Sequence, residues 1–343
     1  MDIYGSNKPM VDIGRRTSRP PGLSTSDVGI LRSTILPSLS LHTGFSVASF
    51  IAAKATDRAE LKDFAWPSSQ VANAWWSAIG RHICHDGVSF CAVWKALPWT
   101  EKVLLSSVTI WGLRLFCRIV SRSLARGKDD PRYTELKAKD PGFWKSAFLN
   151  LFLPEAVFLT FITLPFTLPF RMGSTTPSCL DLSSEAAGAI RAMGVALFGA
   201  GFALESMADC QLELHRLERT DLCRHGVWSI VRHPNYLGDT LVHISFAVMN
   251  VANSFNPVVL LGPIANYVYL RVVGGDAQNE PSQEERYKSQ DPHKYAQLQT
   301  WRREKNSFWP SLSELANPWT WVVYASGLVA VVVEEGFREW AMQ

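Results

Sequence analysis

Residues 231–250 read VRHPNYLGDTLVHISFAVMN and place charged side chains directly before an apolar run. Pro234 suits the first turn of a helix, because a backbone N–H there would have no partner within the helix anyway. Arg232 and His233 then lie at a helix N-terminus, where unpaired backbone N–H groups and the helix dipole attract anions. The pattern predicts a phosphate site, although the same groups also suit a lipid headgroup or a sulfonium nucleoside.

Asn235, Tyr236 and Asp239 follow within the first turns of this predicted helix. They supply an amide, a hydroxyl and a carboxylate where the polar parts of a bound cofactor would meet the membrane. Tyr236 and Asp239 are therefore candidate catalytic acids as well as candidate binding residues. Tyr133 and Glu205 remain alternatives for the acid, because a general acid is identified by its distance from the substrate.

The composition indicates a membrane protein. Of the 343 residues, 47% are hydrophobic, only 19% are charged and 13 are tryptophan, whereas an ordinary soluble domain carries about a quarter charged residues. Several apolar segments approach the roughly 20 residues that cross a bilayer as a helix. They are 27–53, 101–122, 143–170, 187–210, 236–254, 256–273 and 319–336. With no persistent strand pattern, the sequence predicts an all-α, polytopic integral membrane helix bundle of about seven transmembrane helices.

The connections between these segments differ in character. A helical hairpin is predicted at 236–273, because NSFNP at 253–257 supplies Asn, Ser and Pro for a tight turn. Segment 71–97 carries several charges and is either a poor spanning helix or an interfacial one. The polar connections 123–142 and 274–318 are rich in Lys and Arg, so both are expected to face the cytosol.

Three regions follow from this organisation. Residues 1–26 lack the apolar run of a signal peptide and are rich in Pro, Ser, Gly and Arg, which predicts a disordered tail. Residues 27–100 are predicted to form N-terminal membrane helices of unassigned role. Residues 101–343 are predicted to form the membrane domain that carries the site.

Composition also excludes several partners. A net charge of +3 without a concentrated basic face argues against nucleic acid, and no obligate protein partner is inferred. The six cysteines show no Cys-x-x-Cys spacing and are interpreted as small core residues. HICHDGVSFC at 82–91 has no matching second cluster, so no metal site is predicted there or elsewhere.

Two predicted helices carry charge along one face. Arginines recur at every fourth residue, at positions 114, 118, 122 and 126. Arg114 and Arg118 lie well inside an apolar run, where an arginine costs about 2.5–3.5 kcal/mol and usually faces the bundle interior to hold an anion. Acids recur with the same spacing at positions 205, 209 and 213. These acids either neutralise the arginines, hydrogen-bond a ligand, or are solvated beyond the end of the helix's apolar part.

Four blocks of the sequence resemble known membrane enzymes. GVWSIVRHPNYLGD at 226–239 closely resembles the signature of sterol C-14 reductases and related sterol reductases. Three further blocks, at 111–137, 201–216 and 284–301, resemble in the same order an uncharacterised membrane family allied to the steroid 5-alpha-reductase C-terminal domain. Leu212 departs from the lysine that sterol reductases tend to have after the glutamine of the acidic block. This departure leaves the substrate open.

The resemblance implies an integral membrane reductase of the endoplasmic reticulum, with NADPH entering from the cytosol. Arg114 and Arg118 join the predicted cofactor site from the arginine stripe. The residues that the resemblance assigns to the cofactor site are Glu205, Asp209, Gln211, Arg224, Trp228, Arg232, His233, Asn235, Tyr236, Gly238, Asp239, Glu285 and Tyr295.

The function expected from these observations is NADPH-dependent reduction of an activated carbon–carbon double bond in a lipophilic substrate: a steroid, a terpenoid or an enoyl lipid. Membrane methyltransferases that use S-adenosylmethionine are similar in sharing an RHP element followed by a Glu-Glu pair, here at 284–285. Such a methyltransferase is the first alternative. A non-catalytic membrane protein that binds sterol or another lipid is the second.

Overall fold

The computed structural model describes residues 27–172, 182–218, 221–252 and 255–343, and the predicted tail at 1–26 lies outside them. The described chain is helical and contains no strand within these ranges. Its longer helices are α1 (Leu31–Thr56), α2 (Lys62–Trp75), α3 (Trp99–Arg126), α4 (Pro131–Lys139), α5 (Phe143–Ile162), α6 (Ser184–Glu218), α7 (Pro234–Val251), α8 (Pro257–Gln290), α9 (Pro292–Glu304) and α10 (Pro318–Met342). Shorter helical segments are Asp27–Ile30, Ala59–Leu61, Trp76–Gly80, Arg81–Asp86, Phe90–Ala96, Leu164–Phe166, Leu168–Met172, Gly226–Ser229 and Leu312–Ala316.

Six helices of the described chain, α1, α3, α5, α6, α8 and α10, are long and apolar enough to cross a membrane. The predicted polytopic membrane bundle is therefore confirmed, with one candidate crossing fewer than expected. The difference is α7, which forms as predicted but is not among the six. It begins with the polar run PNYLGDT, and most of its residues are buried by neighbouring helices rather than exposed to lipid. The predicted hairpin is present, since α7 packs against the first half of α8.

The two Lys- and Arg-rich connections lie at the same end of the bundle, which we call the polar end (123–142 and 274–318). Ser282 donates to a Glu135 carboxylate oxygen at 3.3 Å and so joins the two connections directly. Lys137 lies 3.2 Å from Asp57, which places the end of α1 there as well. The opposite end is joined in the same way: Arg171 donates to the Ser33 carbonyl at 2.9 Å.

Close backbone contact fixes α7 against α6. A Cβ added to Gly238 would lie 2.6 Å from the Glu205 backbone nitrogen, and one added to Gly201 would lie 2.7 Å from the Gly238 carbonyl oxygen. Small residues at helix contacts are the usual means of tight packing in membranes. Lipid tails are as apolar as the helix surfaces, so close packing rather than the hydrophobic effect holds the helices together. This contact brings the charged face of α6 against the polar start of α7.

The outer surface is apolar. On α10, Val332 is 72% exposed and Trp340 is 73% exposed, although the helix is otherwise packed on α6. Exposed apolar faces of this extent indicate contact with lipid.

Candidate functional site

Three adjoining cavities lie at the polar end. The inner cavity, of about 220 Å³, is lined by residues of helices α2 to α8. The outer cavity, of about 350 Å³, lies between the start of α7 and the polar part of α8 with α9. The side cavity, of about 340 Å³, reaches α4. Tyr236 and Arg122 line all three cavities, and Asn235 lines the inner and the outer one.

The start of α7 is held by backbone pairing rather than by a side-chain cap. Arg232 N–H donates to the Asn306 carbonyl at 3.1 Å, and His233 N–H donates to the Ser307 carbonyl at 2.9 Å. Pro234 occupies the first helical position, as predicted. Arg232 and His233 therefore lie at a helix N-terminus, in the wall of the outer cavity.

Glu280 on α8 pairs with both of these side chains. Its carboxylate lies 2.9 Å from Arg232 Nη2 and 3.0 Å from His233 Nε2. Arg232 Nε and Nη1 are buried with no hydrogen-bond partner among the described residues, and so is Asn235 Oδ1. Burial lowers the pKa of His233, although the hydrogen bond to Glu280 opposes this shift. His233 is therefore neutral at pH 7.

The outer cavity carries more positive than negative charge. Arg122, Arg216 and Lys294 line it together with Arg232. Neither Arg122 nor Arg216 has a carboxylate of the described chain within ion-pair distance. Unused guanidinium donors beside a helix N-terminus suit a ligand with several phosphates.

The lining of the inner cavity is mixed, and its charged side chains outnumber its apolar ones. Phe64, Leu115 and Ile119 contribute the apolar side. Among the polar groups that line the cavity, the Lys62 ammonium contacts the Glu155 carboxylate, and Tyr269 donates to the same carboxylate at 3.2 Å. Buried ions of opposite charge compensate one another's lost hydration.

A second buried network faces the same cavity. Tyr133 donates to Asp63 Oδ1 at 2.6 Å, and Arg132 donates to Asp63 Oδ2 at 3.2 Å. Burial, reinforced by the Asp63 carboxylate, raises the pKa of Tyr133 well above its usual value. Its phenol therefore keeps its proton at neutral pH.

Sequence reasoning missed Lys62, Asp63, Glu155 and Tyr269. Two of the four, Lys62 and Asp63, lie in residues 27–100, to which the sequence assigns no role. Glu155 is a single carboxylate within the apolar segment 143–170, and that isolation is the signal that marks an intramembrane acid as functional.

The arginine and acid stripes pair with each other. Arg114 donates to Glu205 at 2.8 Å and to Asp209 at 2.7 Å, while Arg118 donates to Glu213 at 3.0 Å. Arg118 lines the inner cavity, but Arg114 lines none of the three. Arg114 is predicted to hold an anion, and in the structure its anionic partners are carboxylates of α6.

Acidic groups near α7 keep unused acceptor atoms. Glu205, Asp209 and Asp239 all line the inner cavity. Asp239 accepts a hydrogen bond from Asn266 at 3.0 Å, and its Oδ1 lies 3.7 Å from His243 Nδ1. Asp239 Oδ1 and Glu205 Oε2 are both buried and accept no hydrogen bond from the described residues. A ligand hydroxyl or amide in the inner cavity would satisfy them.

The remaining predicted cofactor residues divide into two groups. Trp228 lines the outer cavity and donates from its indole to the Ala208 carbonyl at 3.0 Å. Gln211 accepts from Val227 N–H at 2.9 Å and supports the turn rather than a cavity. Four further residues also lie outside the three cavities. These are Gly238, in the α6 contact, Arg224 and Glu285, both exposed, and the half-buried Tyr295.

The cysteines differ from expectation. Cys84, Cys91, Cys117 and Cys210 are exposed, so their predicted burial is wrong, and only Cys223 is buried in the described chain. Cys179 lies outside the described residues. Cys117 and Cys210 lie on α3 and α6, where an apolar side chain is accommodated on the lipid-facing surface as readily as in the core, because lipid tails are as apolar as the protein interior.

Comparison with known proteins gives one family. The family described as "Protein of unknown function (DUF1295)" matches residues 49–300, which is more than two thirds of the chain. The match includes helices α2 to α8, all of which contribute residues to the inner cavity. Neither the curated proteins nor the solved structures give a match.

Proposed function

The chain belongs to the DUF1295 family, and we propose that it is an NADPH-dependent reductase of an activated carbon–carbon double bond in a lipophilic substrate. The observation that carries the proposal is the position of Tyr236, which lines both the cation-rich outer cavity and the inner cavity inside the bundle. A hydroxyl at such a junction can reach a substrate and a cofactor held on opposite sides of it.

The outer cavity suits the polyphosphate part of NADPH. Arg232 offers two unused donor atoms, and Arg122, Arg216 and Lys294 provide further positive charge. Asn235 Oδ1 offers an acceptor on the side of the inner cavity. When bound, NADPH supplies a hydride for the substrate carbon.

We infer that the apolar side of the inner cavity contacts the apolar body of a substrate and that the charged part of its lining holds the substrate's polar group. Phe64 and Leu115 would contact the apolar body, while the unused acceptor atoms of Glu205 and Asp239 would receive a hydroxyl or amide hydrogen. A steroid, a terpenoid or an enoyl lipid meets this description. Such a molecule enters the bundle from the bilayer.

Tyr236 is our choice for the proton donor. Its hydroxyl oxygen accepts a hydrogen bond from the Asn279 amide, so the hydroxyl proton remains available for a ligand. Hydride and proton together saturate the double bond: its π bond breaks and two C–H bonds form. Asp239 lies one turn along α7 and would position the substrate instead.

The methyltransferase alternative fits this site less well. S-adenosylmethionine carries no phosphate, so the unused guanidinium groups of the outer cavity would have no anion to bind. As part of the reductase proposal, we infer that the polar end faces the cytosol, where NADPH is available. We propose the endoplasmic reticulum as the membrane concerned.

Cofactor binding tests the proposal directly. Protein purified in detergent or nanodiscs should show a rise in melting temperature with NADPH, a smaller rise with NADH, and none with S-adenosylmethionine, because ligands that bind only the folded state stabilise it. NADPH consumption should then depend on added enone steroids or enoyl lipids. A melting shift with S-adenosylmethionine alone would identify a methyltransferase, and lipid binding without either cofactor would identify a non-catalytic protein.

A further inference from the structure

We propose that His215, Cys223 and His225 form a binding site for a zinc-class divalent metal ion beside the outer cavity. One potential ligand atom from each residue lies within 4.8 Å of the other two. His215 lies in the last turn of α6, and the other two residues lie in the connection that leads to α7. The site is separate from the carboxylates and tyrosines of the inner cavity.

The surroundings of His215 leave one ring nitrogen for a metal. His215 Nε2 lies 2.9 Å from the Asp221 carbonyl oxygen and 3.2 Å from the Asp221 carboxylate. Nε2 therefore carries the proton and donates it to Asp221. Nδ1 is then a bare lone pair, and it is buried without a partner in the described chain. This is the usual arrangement at a metal site, where one ring nitrogen binds the ion and the other donates to a carboxylate or carbonyl.

The three ligands select the class of ion. Two imidazoles and a thiolate suit Zn²⁺ and its chemical relatives, whereas Mg²⁺ and Ca²⁺ require oxygen ligands. Bond lengths of about 2.0–2.3 Å place the ligand atoms of a tetrahedral zinc site roughly 3.5 Å apart. Because the ligand atoms lie within 4.8 Å of one another, reaching this spacing requires a contraction of at most about 1.3 Å, which the exposed His225 side chain permits. Water would take the fourth position.

A metal here would act on the outer cavity. His215 and Cys223 both line that cavity, and Trp228 follows in the same connection. The ion would tie the end of α6 to residues 221–225 and so fix one wall of the cavity. Its expected role is to position this wall, and its binding does not depend on the reductase reaction.

Cobalt provides the direct test. Protein purified without a polyhistidine tag and treated with a chelator is titrated with Co²⁺, which reports a thiolate ligand through its charge-transfer absorption. We expect a saturable band that Zn²⁺ abolishes by competition. Cys223→Ser should remove the band, whereas Cys210→Ser, on the exposed side of α6, should leave it unchanged.

A second variant keeps the test valid if Cys223→Ser misfolds. His225 is exposed, so His225→Ala should fold normally while weakening Co²⁺ binding at least tenfold and reducing the rise in melting temperature that Zn²⁺ produces. The proposal is rejected if saturating Co²⁺ gives no thiolate band, if the band survives Cys223→Ser, or if His225→Ala binds Co²⁺ like the wild type. None of these measurements involves NADPH, so they stand apart from the test of the reductase.

Discussion

Arg232 tests whether the start of α7 binds phosphate. Two of its guanidinium nitrogens are buried and unused, while the third pairs with Glu280. Arg232→Lys keeps the charge but loses the planar set of donors. Losing one charge-assisted hydrogen bond costs about 1.5–3 kcal/mol, so we expect the Kd for NADPH to rise roughly 10- to 100-fold with nearly normal expression.

The matched control is Arg224→Lys, since the Arg224 side chain is 39% exposed and its nearest carboxylate is 3.8 Å away. Titration of NADPH against both purified variants gives the comparison. Equal affinities for the two variants and the wild type would make Arg232 a structural residue that only holds Glu280.

Tyr236 tests the proposed acid. Tyr236→Phe removes the hydroxyl proton and the contact with Asn279 but keeps the ring. General acids contribute about 10²- to 10⁴-fold to rates, so we expect turnover to fall by that order while NADPH affinity changes little. Tyr295→Phe is the control, because Tyr295 is half-buried and lies outside the three cavities. If Tyr236→Phe turns over at the wild-type rate, the role of proton donor passes to Tyr133. Burial raises the pKa of that phenol.

His233 gives a pH dependence of stability. Burial lowers its folded pKa below the ordinary value, which is about 6.5. As pH falls through about 6.5 the unfolded chain binds a proton that folded His233 does not, so stability present above that pH is lost below it.

We therefore expect the melting temperature to fall between about pH 7 and pH 5, and to fall less steeply in His233→Gln, which stays neutral. His85→Gln changes an exposed histidine and should retain the wild-type slope. Identical slopes for His233→Gln and the wild type would show that other groups cause the acid sensitivity.

At the scale of elements, the contact between α6 and α7 positions the charged groups of the site. Gly238→Ala would place a methyl group 2.6 Å from the Glu205 backbone nitrogen. Overpacking of this kind costs about 1–3 kcal/mol, so we expect a lower melting temperature. Gly336→Ala on α10, where a Cβ meets no atom within 4 Å, should be neutral or slightly stabilising.

The same variant separates two roles for Gly238, which the sequence placed in the cofactor site. If Gly238→Ala melts like the wild type but loses NADPH affinity, the residue contacts the cofactor rather than α6. Loss of stability without a specific loss of affinity would support the packing role.

At the scale of the whole molecule, the proposed single site requires both polar connections to lie on the same side of the membrane. Lys128→Cys and Ser289→Cys introduce exposed thiols, one into each connection. In sealed microsomes, a membrane-impermeant maleimide should label both from the cytosolic side. Native Cys91 lies in the segment before α3, at the opposite end, and should react only after permeabilisation.

The labelling results for the two introduced cysteines are interpreted together. Labelling of one from each side of the membrane would contradict the contact between Ser282 and Glu135 and would separate the outer cavity from the side cavity. Labelling of both only after permeabilisation would instead place the whole site on the luminal side, away from cytosolic NADPH.

The sequence by itself determined the class of the protein and the local geometry at the start of α7. Apolar length decides whether a helix can cross a bilayer, and it is a property of consecutive residues. The first turn at Pro234 is equally local, because proline's missing N–H acts on its own helix. Both predictions hold in the structure. The charge stripes on α3 and α6 were also visible, since a fourfold spacing is enough to place residues on one helix face.

Tertiary structure alone decided what those charges meet. Arg114 pairs with Glu205 and Asp209, which lie 91 and 95 residues further along the chain. The Glu155 carboxylate meets Lys62 across 93 residues. The side chains that compensate a buried charge depend on which helices become neighbours, and that choice is made by packing over the whole bundle rather than by any local pattern. For the same reason the sequence could not show that α7, which it predicts as a membrane crossing, is covered by protein. The packing of α7 carries Tyr236 to the lining of all three cavities.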